Sequence, residues 1–268
     1  VFDALIGRVP LTFTVEGDPV PAELNRVAVI AQFSPTPALS LSHQRLVEQL
    51  QANGYVVIVS STTEGGELQW PLGRPPGVTI LRRPNVGYDF GSWAVALNSF
   101  PQVRTAQRVL TVNDSILGPF ADLAPLIRNF EESHSAVWGA VRSHQFAPHL
   151  QSYFLGFSGG DVLARGPLRK FWRGVSVQGT KTDVIWKYEI GLSQLLHKVG
   201  IESATAFDGM DIVGDGVNPV ILGWRTLLER GFPFVKRELL TRPEVAPDSA
   251  DIPGAVADMF GEDIAAWA

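Results

Sequence analysis

The sequence predicts an α/β protein with a mostly parallel sheet sandwiched by helices. Three observations carry this. Short apolar, β-branched runs recur through the first half of the chain, stretches with helical spacing separate them, and each run ends in polar residues. Strands alternating with helices in this way form parallel sheets covered on both faces, which bind ligands beyond the carboxyl ends of their strands.

The elements follow in order. Residues 1–25 contain Pro10, Gly17, Pro19 and Pro21 and form a lead-in with one short strand at Leu11–Val15. Val27–Phe33 is an apolar run bounded by polar and Pro-rich stretches, which suits a buried strand. Leu39–Gln51 places Leu39, Leu41, Leu46, Val47 and Leu50 near helical spacing, and Asn53-Gly54 closes it as a C-cap. Strands are expected at Tyr55–Val59, Val78–Leu81, Val109–Val112 and Ala136–Val141, with helices at Phe90–Leu97 and Asp122–Phe130. The second half is less regular. It predicts strands at Ser152–Phe157 and Phe234–Leu239, helices at Val162–Trp172, Asp183–Val199 and Pro219–Glu229, and a weak helix at Ala255–Phe260. No linker divides the chain, so residues 1–268 are expected to form a single domain.

Composition narrows the function. The net charge is −5 and the pI about 5.6, without the basic balance of a duplex nucleic-acid binder, so no nucleic-acid partner is expected. The absence of Cys excludes disulfides, thiolate nucleophiles and Cys-ligated zinc. The five His have no zinc spacing. With no signal-like start and no run of 18 apolar residues, the expected place is the cytoplasm or the inner membrane face. Arg169, Lys170 and Arg173 beside Phe171 and Trp172 are either a solvated helix face or a contact for anionic lipid or a lipid-linked acceptor.

Four constellations carry chemistry. Arg82 to Trp93 leaves the third strand and enters a helix. Arg83, Asn85, Gly87, Tyr88, Asp89 and Gly91 there can cradle an anion, or form a capped turn with Asp89 as N-cap. Ser60 closes the second strand among other polar residues and joins the candidate donor-binding set. The fourth strand runs into Asn113-Asp114-Ser115, where Asp114 can meet a divalent cation bridging two phosphates, or can make an Asx-turn. His149, Gln151 and Tyr153 form a polar and aromatic set suited to sugar hydroxyls. Glu189 follows Ile185 by four residues and precedes Leu192 by three, so it points near the buried face of its helix. A carboxylate there needs a partner: a salt bridge to Lys181 or Lys187, or a functional role. Asp183 on the same helix is explained by capping.

The order of GYDFGSW, VNDS, HLQSYF, KYEIGLS, NPVILGW and GFPFVK resembles the rhamnan synthesis protein F family, over about Val27 to Leu240. The resemblance implies a glycosyltransferase A-type nucleotide-binding core. Residues 27–143 would then be the nucleotide-sugar-binding half, 144–240 the acceptor and catalytic half, and 241–268 an extension. It implies an inverting enzyme that transfers a sugar, L-rhamnose from dTDP-L-rhamnose, to a lipid-linked or polysaccharide acceptor in bacterial surface polysaccharide synthesis. It places a divalent metal, Mg²⁺ or Mn²⁺, at Asp114, although Asn113 replaces the first acid of the usual Asp-x-Asp. It also places Glu189 at the position of the catalytic base. The competing class is a non-catalytic nucleotide- or sugar-binding module derived from such an enzyme. A nicotinamide-dependent dehydrogenase is disfavoured, because the first strand runs into Gln32-Phe33-Ser34-Pro35 with no glycine-rich fingerprint.

Overall fold

The computed structural model describes residues 7–164 and 166–268. Its strands are β1 (Thr14–Gly17), β2 (Arg26–Gln32), β3 (Val56–Ser61), β4 (Thr79–Arg82), β5 (Arg108–Asn113), β6 (Ile116–Leu117), β7 (Val137–Ser143), β8 (His149–Leu150), β9 (Phe154–Ser158), β10 (Ser203–Asp208) and β11 (Val235–Lys236). A nine-stranded sheet runs β1-β4-β3-β2-β5-β9-β7-β10, with β8 on β7. β4, β3, β2 and β5 are parallel neighbours, as are β7 and β10. β9 lies antiparallel between β5 and β7, and β1 is an antiparallel edge. The expected α/β class and mostly parallel sheet are therefore observed.

Helices cover both faces. They are α1 (Leu41–Ala52), α2 (Tyr88–Ser99), α3 (Pro101–Thr105), α4 (Ala124–Glu132), α5 (Gly166–Arg173), α6 (Lys181–Val184), a π-helical turn Ile185–Ile190, α7 (Gly191–Lys198), α8 (Gly209–Ile212), α9 (Pro219–Leu222), α10 (Trp224–Glu229), α11 (Glu238–Thr241) and α12 (Ile252–Phe260). The strand pleat explains why β2 is apolar throughout. Ala28 and Ile30 join a core with Val47 and Leu50 of α1 and Phe130 of α4. Val27, Val29 and Ala31 join the opposite core with Trp93 of α2, Trp172 of α5 and Leu192 of α7. Successive residues point to opposite faces, and both faces are covered. A third core gathers Leu117, Trp224, Val256 and Trp267.

Some boundaries differ from expectation. The first strand is Thr14–Gly17 rather than Leu11–Val15, because its partner β4 is only four residues long and pairs Thr14 with Arg82 and Gly17 with Thr79. The helix expected from Val162 starts at Gly166, since Asp161–Ala164 form a turn closed by Ala164 N–H to Asp161 O. The helix expected over Pro219–Glu229 is two, broken at Gly223, where a Cβ would lie 2.4 Å from Ile212 and 2.6 Å from Val213. The last strand is Val235–Lys236 alone, because its partner β6 has two residues and the chain then turns into α11.

Candidate active site

Beyond the carboxyl ends of β2, β3 and β5 lies a cleft of about 400 Å³. The β4–α2 turn contributes Asn85, Tyr88 and Asp89, and the end of β5 contributes Asn113 and Asp114. Gln151, Ser152 and Tyr153 come from the approach to β9, Glu189 from the π turn, and Lys236 from β11. The cleft thus joins residues from both halves of the chain.

Glycine at position 87 makes the first corner. Gly87 caps α2 in the left-handed region, φ 87°, and a Cβ there would lie 2.5 Å from Val9. The turn sets Asp89 in the first turn of α2 rather than at the N-cap. Its Oδ2 accepts from Asn113 Nδ2 at 2.6 Å. Asn113 Oδ1 in turn accepts from Ser115 N at 3.1 Å and Ser115 Oγ at 2.6 Å. The Asx-turn is therefore made by Asn113, and Asp114 is free for another role. Asp114 Oδ2 accepts from Phe33 N at 2.7 Å, tying the ends of β2 and β5 together.

The acids at this end resist ionisation. Burial raises the pKa of Asp114 to about 7, with Asp89 adding repulsion, against the Phe33 N–H and Arg237. Burial also raises Asp89, against its hydrogen bond from Asn113 and the charge of Lys236.

Glu189 behaves in the opposite way. Burial alone would raise its pKa, but His149 and Ser152 hold it below the usual carboxylate value. Oε2 accepts from Ser152 N at 2.8 Å and also from Ser152 Oγ. Oε1 lies 3.5 Å from His149 Nε2. His149 Nδ1 is 2.8 Å from Ala147 O, an acceptor only, so Nδ1 carries a hydrogen. The His149 pKa is raised: burial opposes the charge, and Glu189 and the Ala147 carbonyl overcome it. The partner of Glu189 is thus His149, not Lys181 or Lys187; Lys187 Nζ donates to Ser176 Oγ at 3.0 Å. Asp183 forms a capping box with Thr180.

The cleft does not gather every residue expected of it. β3 runs two residues past Val59, so Ser60 is fully buried inside the sheet and Thr62 reaches the cleft instead. Arg83 is buried, donating to Ser92 Oγ at 3.0 Å and to Val86 O. Gly91 is a packing glycine, since a Cβ would lie 2.8 Å from Val86 O. Gly87 shapes the wall without lining it. His149 lines a neighbouring cavity with Arg142, His144 and His197, and reaches the cleft only through Glu189. Tyr153 lines the cleft but is 1% exposed, and Lys236 Nζ lies 5.1 Å over its ring, so it is not an open platform for a sugar. Sequence reasoning missed Ser152, Lys181, Lys236 and Arg237. Lys236 ends GFPFVK and Arg237 follows it, so an apolar run stops abruptly at two cations.

The donor set fits a hard cation that keeps most of its waters. Asp89 repels Asp114, the Asn113 amide and Ser115 hydroxyl stand beside them, and the cations Lys236 and Arg237 also act on this end. No cluster of three or more His, Cys, Asp or Glu able to hold a metal occurs among the described residues. Any such ion would therefore need ligand oxygens as well.

The family description "Rhamnan synthesis protein F" matches residues 57–259. The chain belongs to this family. Virulence protein VirA of Vibrio anguillarum is 31% identical over 230 residues, covering 74% of this chain and 73% of that protein. An uncharacterized protein of Sinorhizobium fredii, y4gN, is 26% identical over 229 residues, covering 84% of this chain and 58% of that protein. A crystal structure described as a nucleotide-diphospho-sugar transferase from Desulfovibrio desulfuricans is 12% identical, with a TM-score of 0.42 over 87% of this chain and 97% of that one. Family membership brings GYDFGSW, VNDS and KYEIGLS into one frame, and these three motifs supply Asp89, Asp114 and Glu189.

Proposed function

We propose that this member of the rhamnan synthesis protein F family is an inverting glycosyltransferase with a glycosyltransferase A-type core. It moves a sugar, L-rhamnose from dTDP-L-rhamnose, onto a hydroxyl of a lipid-linked or polysaccharide acceptor. The observation that carries this is a single cleft whose acids differ. Asp89 and Asp114 stand at one end, poised for protons or cations, and Glu189 is held ionised at the other.

The chemistry follows from that division. The acceptor oxygen attacks the anomeric carbon and forms the new glycosidic bond. The bond from that carbon to the phosphate oxygen breaks, and its electron pair stays on the diphosphate. The acceptor proton passes to Glu189, on the face opposite the leaving group. Ser152 and His149 fix the direction of the Glu189 carboxylate. A divalent cation bound by Asp114, with Asp89 beside it, would supply positive charge to the diphosphate. No helix among the described residues is long and apolar enough to cross a membrane. The exposed cations Arg169, Lys170 and Arg173 of α5 are the surface we assign to an anionic, membrane-held acceptor.

The test is turnover of dTDP-L-rhamnose with a rhamnan oligosaccharide acceptor, read as released nucleoside diphosphate and as the anomeric configuration of the product by NMR. The expected product has the inverted configuration. Retention of configuration would remove the base role of Glu189. A protein that binds dTDP yet releases none from any sugar donor would be a binding module.

A further inference from the structure

Lys236 stands on the floor of the cleft with an unpaired charge. Among the described residues its ammonium has no hydrogen bond or ion pair, and its contact is the face of the Tyr153 ring at 5.1 Å. Carboxylates are close but engaged elsewhere. Asp89 accepts from Asn113, and Glu189 is held by Ser152 and His149. Burial disfavours the charge on Lys236 and Lys181 repels it, while Glu189, Asp89 and Glu238 favour it. The ammonium is half-buried and makes no hydrogen bond or ion pair among the described residues, so an anion bound in the cleft would be a favourable partner for it.

The backbone fixes where that anion would lie. Lys236 pairs with Ile116 in the β11–β6 ladder. The next residue, Arg237, donates its N–H to Ser115 O at 2.9 Å and its Nε–H to Asp114 O at 3.2 Å. The Lys236 strand is therefore clamped to the Asn113-Asp114-Ser115 turn. The Lys236 and Asp114 backbones are thus held together, the ammonium acts on Asp89 in the same cleft, and a phosphate beside Asp89 lies within the field of Lys236.

We propose that Lys236 binds the diphosphate of the sugar donor and stabilises the negative charge this group gains as the sugar leaves. This rests on the transferase reading above. Lys236 stays protonated throughout. It donates N–H to a phosphate oxygen while the carbon–oxygen bond breaks toward the diphosphate and the acceptor proton goes to Glu189. The outer phosphate is the one addressed, so Lys236 is expected to discriminate nucleoside diphosphates from monophosphates.

Isothermal titration tests this with dTDP, UDP and GDP against the matching monophosphates. The proteins are the wild type, Lys236→Met and Lys236→Arg, with thermal melting of each. Wild type is expected to prefer one diphosphate over its monophosphate. Lys236→Met should weaken that diphosphate about tenfold or more and leave the monophosphate nearly unchanged, while Lys236→Arg keeps most of the preference. Lys236→Met should melt close to wild type, because the half-buried ammonium makes no hydrogen bond or ion pair among the described residues and Met keeps the apolar stem against Tyr153. Should it fail to fold, Lys236→Gln takes its place in the same titrations. A folded Met or Gln variant that binds the diphosphate as tightly as wild type overturns the role of Lys236 and leaves the transferase reading standing. A wild type that binds no nucleoside diphosphate overturns both.

Discussion

The two ends of the cleft use the same chemical group in opposite ways. At the Asp89–Asp114 end, burial holds both carboxyls toward the protonated form, Glu189 repels Asp89, and Asp89 repels Asp114, whose pKa is raised to about 7. At the Glu189 end, burial is also unfavourable, yet two hydrogen bonds from Ser152 and the neighbouring His149 hold the carboxyl below its usual pKa. Burial alone therefore does not decide the charge state. The number of donors aimed at the oxygens does. Under the proposed transfer, the first end would meet a cation and the second would take the departing proton.

The largest expected effect breaks the second end. Glu189→Gln keeps the size and the contact to Ser152 but removes the base, so transfer should fall by at least about a hundredfold with donor affinity retained. Steady-state kinetics beside titration of the nucleoside diphosphate checks the split. Near-normal transfer would end the contrast.

The first end is probed next by Asp114→Asn, which can still accept from the Phe33 N–H. A carboxyl whose folded pKa is raised contributes stability below its unfolded pKa and loses it as pH rises through about 7. The variant should therefore melt higher than wild type at pH 8, by about 1 kcal/mol or more, and nearly equally at pH 4. Turnover should fall at both ends of that range. Equal melting at pH 8 would show that the Asp114 charge is already neutralised.

A smaller effect sharpens the comparison. His149→Gln removes the imidazole beside Glu189, one of the groups that hold its pKa down against burial. The Glu189 carboxylate, depressed in the folded state, contributes stability that is lost as pH falls through its folded pKa, so that loss should begin at higher pH in the variant. The acidic limb of the rate profile should move to higher pH. An unmoved limb would assign the low pKa to Ser152 alone.

Much of this was legible in the residues. β2, β3 and β5 are unbroken apolar runs because both faces are covered, and that pattern marks them. β10 was missed because Ser203–Asp208 is half-buried along its length and carries small residues at Ala204 and Ala206. The reversed direction of β9 has no sequence signature, since the pleat period is the same either way. Asp114 and Glu189 stood out as acids where acids are costly. Lys236 did not, because its strand is two residues long and is defined only by pairing with β6. Ser60 and Arg83 were grouped with the site because polar residues at a strand end look alike on paper. One faces the sheet interior and the other braces a turn.

The six-residue π turn Ile185–Ile190 has a consequence of its own. Val184, Tyr188, Leu192 and Leu196 are all buried in one core at four-residue intervals. In an α-helix that spacing drifts around the axis by about 40° per step, and the wider turn holds it in line. Glu189 is carried beside this row into the cleft. Deleting one residue between Ile185 and Lys187 would restore ordinary helical bonding and rotate the carboxylate away from Ser152. Under the proposed transfer, the sturdier helix would misplace the carboxylate, so selection on folding alone would erase the feature and selection on sugar transfer would keep it.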